Sequence, residues 1–213
     1  PAVTALAHWS QHFYPALAGQ LLKQTGIDPE VHATGLYWLD LEDEALALDW
    51  ARRLDYPLQQ VDIAQARAAV PALAAGFERA LHMPGLASVR NPRLLKALHA
   101  ALLQLPNVSL RENCAVSGFI IEDGRVAGVQ TSEGDLRAEQ VVLAAGAWSG
   151  ELLKSLGLTL PVQPVKGQMI LYQCAQDFLP AMVLGKSRYA IPRRDGLVLI
   201  GSTLEHAGFD KTP

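Results

Sequence analysis

The residues able to do chemistry are few and widely spaced. Tyr189, Ile191 and Arg193 alternate along an apolar stretch, so on a strand they share one face while Arg188 and Ala190 take the other. A guanidinium at Arg193 could hold a carboxylate in a two-point contact, although a structural role is its plainer reading. His8 and His12 stand four apart, but no carboxylate or third ligand accompanies them, and helix-surface histidines are the expectation. Cys114 and Cys174 form neither a CxxC pair nor a Cys/His ligand set, so no zinc site or disulfide framework is expected. A reducing compartment, the cytoplasm, fits them. No Ser/His/Asp or paired-carboxylate constellation is visible, which would be awkward for a hydrolase.

Val3, Leu6, Trp9, Phe13, Leu17 and Leu21 recur at helical spacing over residues 3 to 25, and Gly26 is placed to end that helix. A short strand is expected at 35–40 and a helix at 42–53. Asp62 stands as an N-cap before an Ala-rich helix that Pro71 ends, and a β-rich stretch follows from Phe77 to Val89. Asn91 and Pro92 read as N-cap and N1 of a helix with Leu94, Leu95, Leu98, Leu102 and Leu105 on its apolar face. Val108 to Leu110 is a strand candidate, and Asp123-Gly124 turns a hairpin between Ala115–Ile121 and Val126–Thr131.

The run Val141 to Ala145 is continuously apolar, suited to a strand buried on both faces. Gly146 to Gly150 then opens a helix that Gly157 can terminate. Residues 162–172, 187–193 and 197–204 read as strands of an antiparallel meander with a turn at Arg194-Asp195-Gly196. The fold class is α/β, or mixed α+β, with the chain passing between two interleaved layers. The segments are 1–90, 91–158 and 159–213.

Composition bounds the rest. A net charge of -3 and a pI near 6.1 argue against a partner held by its phosphates. No run approaches the 18 apolar residues that a membrane span requires, so neither nucleic acid nor membrane is expected as a partner.

Three segments then carry a resemblance. They are Val141-Val142-Leu143-Ala144-Ala145-Gly146-Ala147-Trp148-Ser149, Leu160 to Met169, and Arg188-Tyr189-Ala190-Ile191-Pro192-Arg193-Arg194-Asp195-Gly196 followed by Ile200-Gly201-Ser202-Thr203. In order and spacing the chain resembles the D-amino-acid-oxidase-like family of flavin-dependent amine oxidases, and within it the glycine-oxidase branch of thiamine biosynthesis. The resemblance implies a two-domain enzyme with FAD. The α-hydrogen of a small amine or amino acid would pass as hydride to the flavin, and oxygen would reoxidise it to give peroxide. Homo-oligomers are expected by analogy.

For the site, the resemblance points to Tyr189 as a contact to the substrate carboxylate, with Leu204 lining the pocket. Val116, Ala144, Ala145, Gly146 and Trp148 align with positions near the cofactor, where small residues let backbone approach a ligand. An indole at Trp148 could equally fill a helix–sheet interface, and Lys166 reads as a solvated lysine at a strand bend. In the family, the arginine that grips the carboxylate lies in a C-terminal portion not found here. The family's G-x-G-x-x-G turn is also missing; Gly124/Gly128 and Gly146/Gly150 are the nearest spacings. The chain, starting at Pro1, is therefore expected to be an internal piece, flanked by the missing elements and colourless and inactive alone. Sister flavoenzymes (a sarcosine oxidase, a glycerol-3-phosphate dehydrogenase, a tRNA-modifying oxidase) and a cofactor-free binding module are the alternatives.

Overall fold

The apolar spacing at the start of the chain folds as α1 (Ala2–Thr25), in a computed structural model that describes residues 2–212. Gly26 ends it at φ +73°, with its N–H donated to the Leu22 carbonyl, a left-handed stop that favours glycine. Contacts divide the chain into two units. One comprises residues 1–108 with 168–203, and the other 109–167 with 204–213.

The first unit is built on a seven-stranded sheet. In chain order its elements are β1 (His32–Ala33), β2 (Leu36–Leu39), α2 (Glu44–Arg53), β3 (Gln59–Asp62), α3 (Ile63–Ala69), β4 (Arg79–Met83), β5 (Ala87–Ser88) and α4 (Asn91–Leu102). After the second unit come β9 (Ile170–Gln173), β10 (Met182–Gly185), β11 (Arg188–Pro192) and β12 (Leu197–Gly201). The sheet order is β3-β4-β2-β10-β11-β12-β9, all antiparallel except β2 beside β10, while β1 and β5 form a separate pair. β10 was not expected: four residues are too short to show a period, and only pairing with β2 makes them a strand.

Strand alternation splits the sheet into two faces. On one, Leu39, Ala80, Val183, Ala190, Val198 and Ile200 pack with Ala66, Val70, Leu73, Leu179 and Ala181, so α3 and the segments 70–77 and 174–181 cover it. Asp62 caps α3 as expected, accepting from the Ala64 N–H at 2.6 Å, while the Gln65 side chain receives the Asp62 N–H. Tyr189 belongs to the other face.

Helix α4 packs against α1 within this unit. It begins one residue earlier than expected: Arg90 is the cap and Asn91 is already helical. The Arg90 carbonyl accepts from Arg93 and Leu94, while its N–H is donated to the Pro29 carbonyl, so backbone tethering replaces an asparagine cap. Val108 to Leu110 is not a strand, and Val108 closes a turn onto Leu105 instead.

The second unit holds β6 (Val116–Glu122), β7 (Arg125–Thr131) and β8 (Gly134–Arg137) in a three-stranded meander. Asp123 and Gly124 both take positive φ, +50° and +74°, as a type I′ hairpin demands. A 3₁₀ turn (Gly146–Trp148) leads into α5 (Ser149–Lys154), and Gly157 follows at φ +71° with its N–H on the Lys154 carbonyl.

The strand expected at Val141 to Ala145 does not form, and Val142 is 89% exposed. Among the described residues, 139–144 make no backbone hydrogen bond, and a strand buried on both faces needs neighbours along its edges. The meander also starts later than the sequence suggested. Pro161 and Pro164 lack N–H donors, and before β9 begins at Ile170 the links are a bridge from Lys166 to Glu205 and a hydrogen bond from the Thr203 N–H to the Gln168 carbonyl.

Candidate functional site

Tyr189 pairs directly with Gly201 across β11 and β12, and with Leu184 across β10 and β11. Opposed residues point to the same face, so the phenol lies with Trp38, Leu184, Ile191 and Leu199 on the side of the sheet away from α3. Its ring rests on Gly201: a Cβ there would lie 2.3 Å from Tyr189 Cζ and 2.4 Å from its Oη. The hydroxyl reaches Met169 Sδ at 3.3 Å, a weak acceptor for a phenolic donor. The ring is thus held in place while its O–H keeps an exchangeable partner. Met169 and Gly201 lie inside the family-like motifs, where no local pattern gives either a role. The strand register supplies it.

Below β11, on the covered face, a cavity of about 270 Å³ is bordered by Leu39, Val70, Leu73, Phe77, Arg188 and Tyr189 among others. Its lining merges with the apolar core, and the phenol turns away from it.

Arg193 lies just past the end of β11 opposite Tyr189, so the strand does not bring the two together. About four residues at roughly 3.3 Å each separate their Cα atoms. Burial pushes the Arg193 guanidinium below its ordinary range, opposed by the charge of Glu30 and reinforced by that of Arg90.

Around it lies an ion-pair cluster that sequence reading missed. Glu30, 1% exposed, meets Arg90 at 3.0 Å and Arg93 at 3.4 Å, and accepts the Arg194 N–H at 3.0 Å. Arg90 also holds Asp195 at 2.6 Å, and Arg194 holds Asp28 at 2.8 Å. The hydrogen bond that Arg90 donates to Asp195 raises the Arg90 pKa. No spacing links residues 30, 90 and 195, so only the fold could reveal the cluster.

In the second unit the small-residue bend is continuous: Ala144 is exposed, Ala145 half-buried, and Gly146 takes φ +54° with nothing within 4 Å of where a Cβ would point. Bare backbone beside open space leaves room for close approach of a flat ligand. Val116, at the start of β6, is 39% exposed. Trp148 stacks on Phe209 at 5.3 Å, with Lys211 Nζ 4.9 Å from its ring centroid, so part of the indole is already engaged. Leu204 is 72% exposed, and the Lys166 ammonium is hydrogen-bonded to the Thr212 carbonyl.

Among the described residues no cluster of His, Cys, Asp and Glu could hold a metal, and no helix is long and apolar enough to cross a membrane. Both cysteines are free.

Comparisons with known proteins identify the family. The family model described as FAD dependent oxidoreductase matches residues 1–213, and the chain belongs to that family. It is 68% identical to a glycine oxidase of Pseudomonas putida and 66% to one of Pseudomonas aeruginosa, in each case over 100% of this chain and 58% of the relative. The chain therefore spans little more than half the length of these curated relatives. Among solved structures, glycine oxidase from Bacillus cereus superposes with a TM-score of 0.88 at 30% identity, covering 99% of this chain and 59% of that one. The fold is that of the two-domain flavin-dependent amine oxidases.

Proposed function

We propose that the intact protein is an FAD-dependent glycine oxidase of thiamine biosynthesis. It would oxidise glycine or a similarly small amine with oxygen as acceptor and peroxide as product. The observation that carries this reading is the phenol of Tyr189, fixed on an apolar sheet face in a chain that resembles glycine oxidases along its whole length.

Tyr189 donates a hydrogen bond from its hydroxyl to the substrate carboxylate, exchanging the weak thioether acceptor Met169 Sδ for a charged one. Gly201 keeps the ring down, and Leu204 is assigned an apolar contact to the substrate from its place in the motif alone. Val116, Ala144, Ala145, Gly146 and Trp148 hold the cofactor, the small residues through close backbone approach. FAD, when bound, would supply the redox chemistry, two-electron oxidation of the amine coupled to reduction of oxygen. The chain's own task is positioning, which needs no general acid or base among these residues. Segments 1–90 and 159–213 are assigned to the substrate side and 91–158 to the flavin side. The free cysteines suit a cytoplasmic setting, and self-association completes the proposal.

The test is to purify the intact protein, look for a flavin absorbance band, and measure peroxide release over glycine, sarcosine and glycerol 3-phosphate. A yellow protein that prefers glycine supports the reading. Preference for either alternative, or a colourless intact protein, removes it. The 213-residue chain alone is expected to lose flavin on desalting.

A further inference from the structure

Methionine occurs at positions 83, 169 and 182. Met182 lies in the core at 5% exposed and Met83 is half-buried on β4, but Met169 is 54% exposed. Met169 is also the residue whose Sδ accepts the Tyr189 hydroxyl at 3.3 Å. Its backbone is held on both sides. Gln168 donates its N–H to Thr203 Oγ1 at 3.0 Å and accepts the Thr203 N–H at 3.2 Å, while Ile170 pairs with Ile200 in the sheet. A thioether ordinarily fills a gap in a core. Here it lies in the open, on a fixed backbone, against the hydroxyl assigned to the substrate carboxylate.

Exposure and contact together define its chemistry. Thioethers are oxidised to sulfoxides, which turns an apolar side chain polar, and accessible ones react first. The sulfur lone pair attacks one oxygen of hydrogen peroxide, an S–O bond forms as the O–O bond breaks, and the other oxygen leaves as water with both peroxide protons. Sulfur loses two electrons and the peroxide gains them. The new sulfoxide oxygen accepts a hydrogen bond more strongly than the sulfur did, so it competes with a carboxylate for the phenol.

We propose that Met169 is an oxidation site for hydrogen peroxide, and that its sulfoxide holds the Tyr189 hydroxyl and weakens glycine binding, so that the oxidase is restrained by its own product. Met169 acts through Tyr189, as a positioning residue. The proposal rests on the oxidase reading for its source of peroxide, whereas the oxidation itself is tested with peroxide added from outside.

The intact protein is treated with dilute hydrogen peroxide in the absence of glycine, then with dithiothreitol to return Cys114 and Cys174 to thiols, and its peptides are weighed by mass spectrometry. One added oxygen should appear at Met169 before Met83 or Met182. In the treated protein KM for glycine should rise roughly two- to tenfold with kcat little changed, and methionine sulfoxide reductases for both epimers should reverse the rise. Sustained glycine turnover should produce the same modification, and catalase should prevent it. Each variant is compared with its own untreated form. Met169→Leu and Tyr189→Phe should both lose the peroxide-induced rise, the first for want of the sulfur and the second for want of the hydroxyl. Oxidation that reaches Met83 or Met182 first, a KM unmoved by sulfoxide at Met169, or a rise that persists in either variant would each overturn the proposal. Intact protein that oxidises no glycine would instead remove the oxidase reading, and the order of methionine oxidation would still decide for or against Met169.

Discussion

A phenol resting on a glycine is a device whose parts cannot be exchanged singly. Removing the Tyr189 hydroxyl should remove a charge-assisted hydrogen bond to the carboxylate, about 1.5–3 kcal/mol. Glycine binding by the intact protein should then weaken roughly ten- to a hundredfold, read as a rise in KM with little change in peroxide release at saturation. Gly201→Ala tests the same device from beneath. Its Cβ would meet the ring at 2.3 Å, so the tyrosine must move, and KM for glycine should rise by about tenfold although the hydroxyl is intact. An unaltered KM in Gly201→Ala would show that the ring position does not matter. The role proposed for Tyr189 comes from its motif, which the sequence displays. Gly201 and Met169 acquire meaning only through register, and the Glu30 cluster joins residues that no local pattern connects.

At the scale of elements, agreement follows how local the cause is. Helix α1, the Asp62 cap and the Asp123-Gly124 hairpin are set by neighbours within a few residues, and they form as the sequence indicates. The strand at Val141 to Ala145 and the parallel strand β10 depend on distant edges; one lacks them here and the other finds β2. Asp62→Ala should lower stability by about 1 kcal/mol in chemical denaturation, the usual cost of a lost cap.

Asp40 gives an element-level pH dependence. Its carboxylate accepts the backbone N–H groups of Arg79 at 2.9 Å and Glu78 at 3.0 Å, pinning the end of β2 to the start of β4. The Arg79 and then the Glu78 hydrogen bond depress its pKa below the ordinary 3.8. A depressed folded-state pKa means stability that is present above the unfolded value and lost as pH falls through the folded one. Unfolding midpoints should therefore drop below about pH 4, less steeply in Asp40→Asn. Equal acid slopes for both proteins would deny Asp40 this role.

For the whole molecule, the sheet unit is tied at one end by charge: Glu30, Arg90, Arg93, Arg194, Asp195 and Asp28 join the segment after α1, the start of α4 and the β11–β12 turn. Glu30 is buried, so Glu30→Ala leaves cations poorly compensated, and a loss of about 3 kcal/mol is expected, the lower end of the usual range because Arg90 keeps Asp195. Urea denaturation of both proteins measures it.

The measurement that bears most directly on the function is a comparison of glycine with methylamine, which has no carboxylate, in the intact protein and its Tyr189→Phe variant. If the phenol holds the carboxylate, kcat/KM for glycine falls at least tenfold or so while the low rate with methylamine is unchanged. Equal losses on both amines, or no loss on either, would contradict the assignment of this sheet face to substrate.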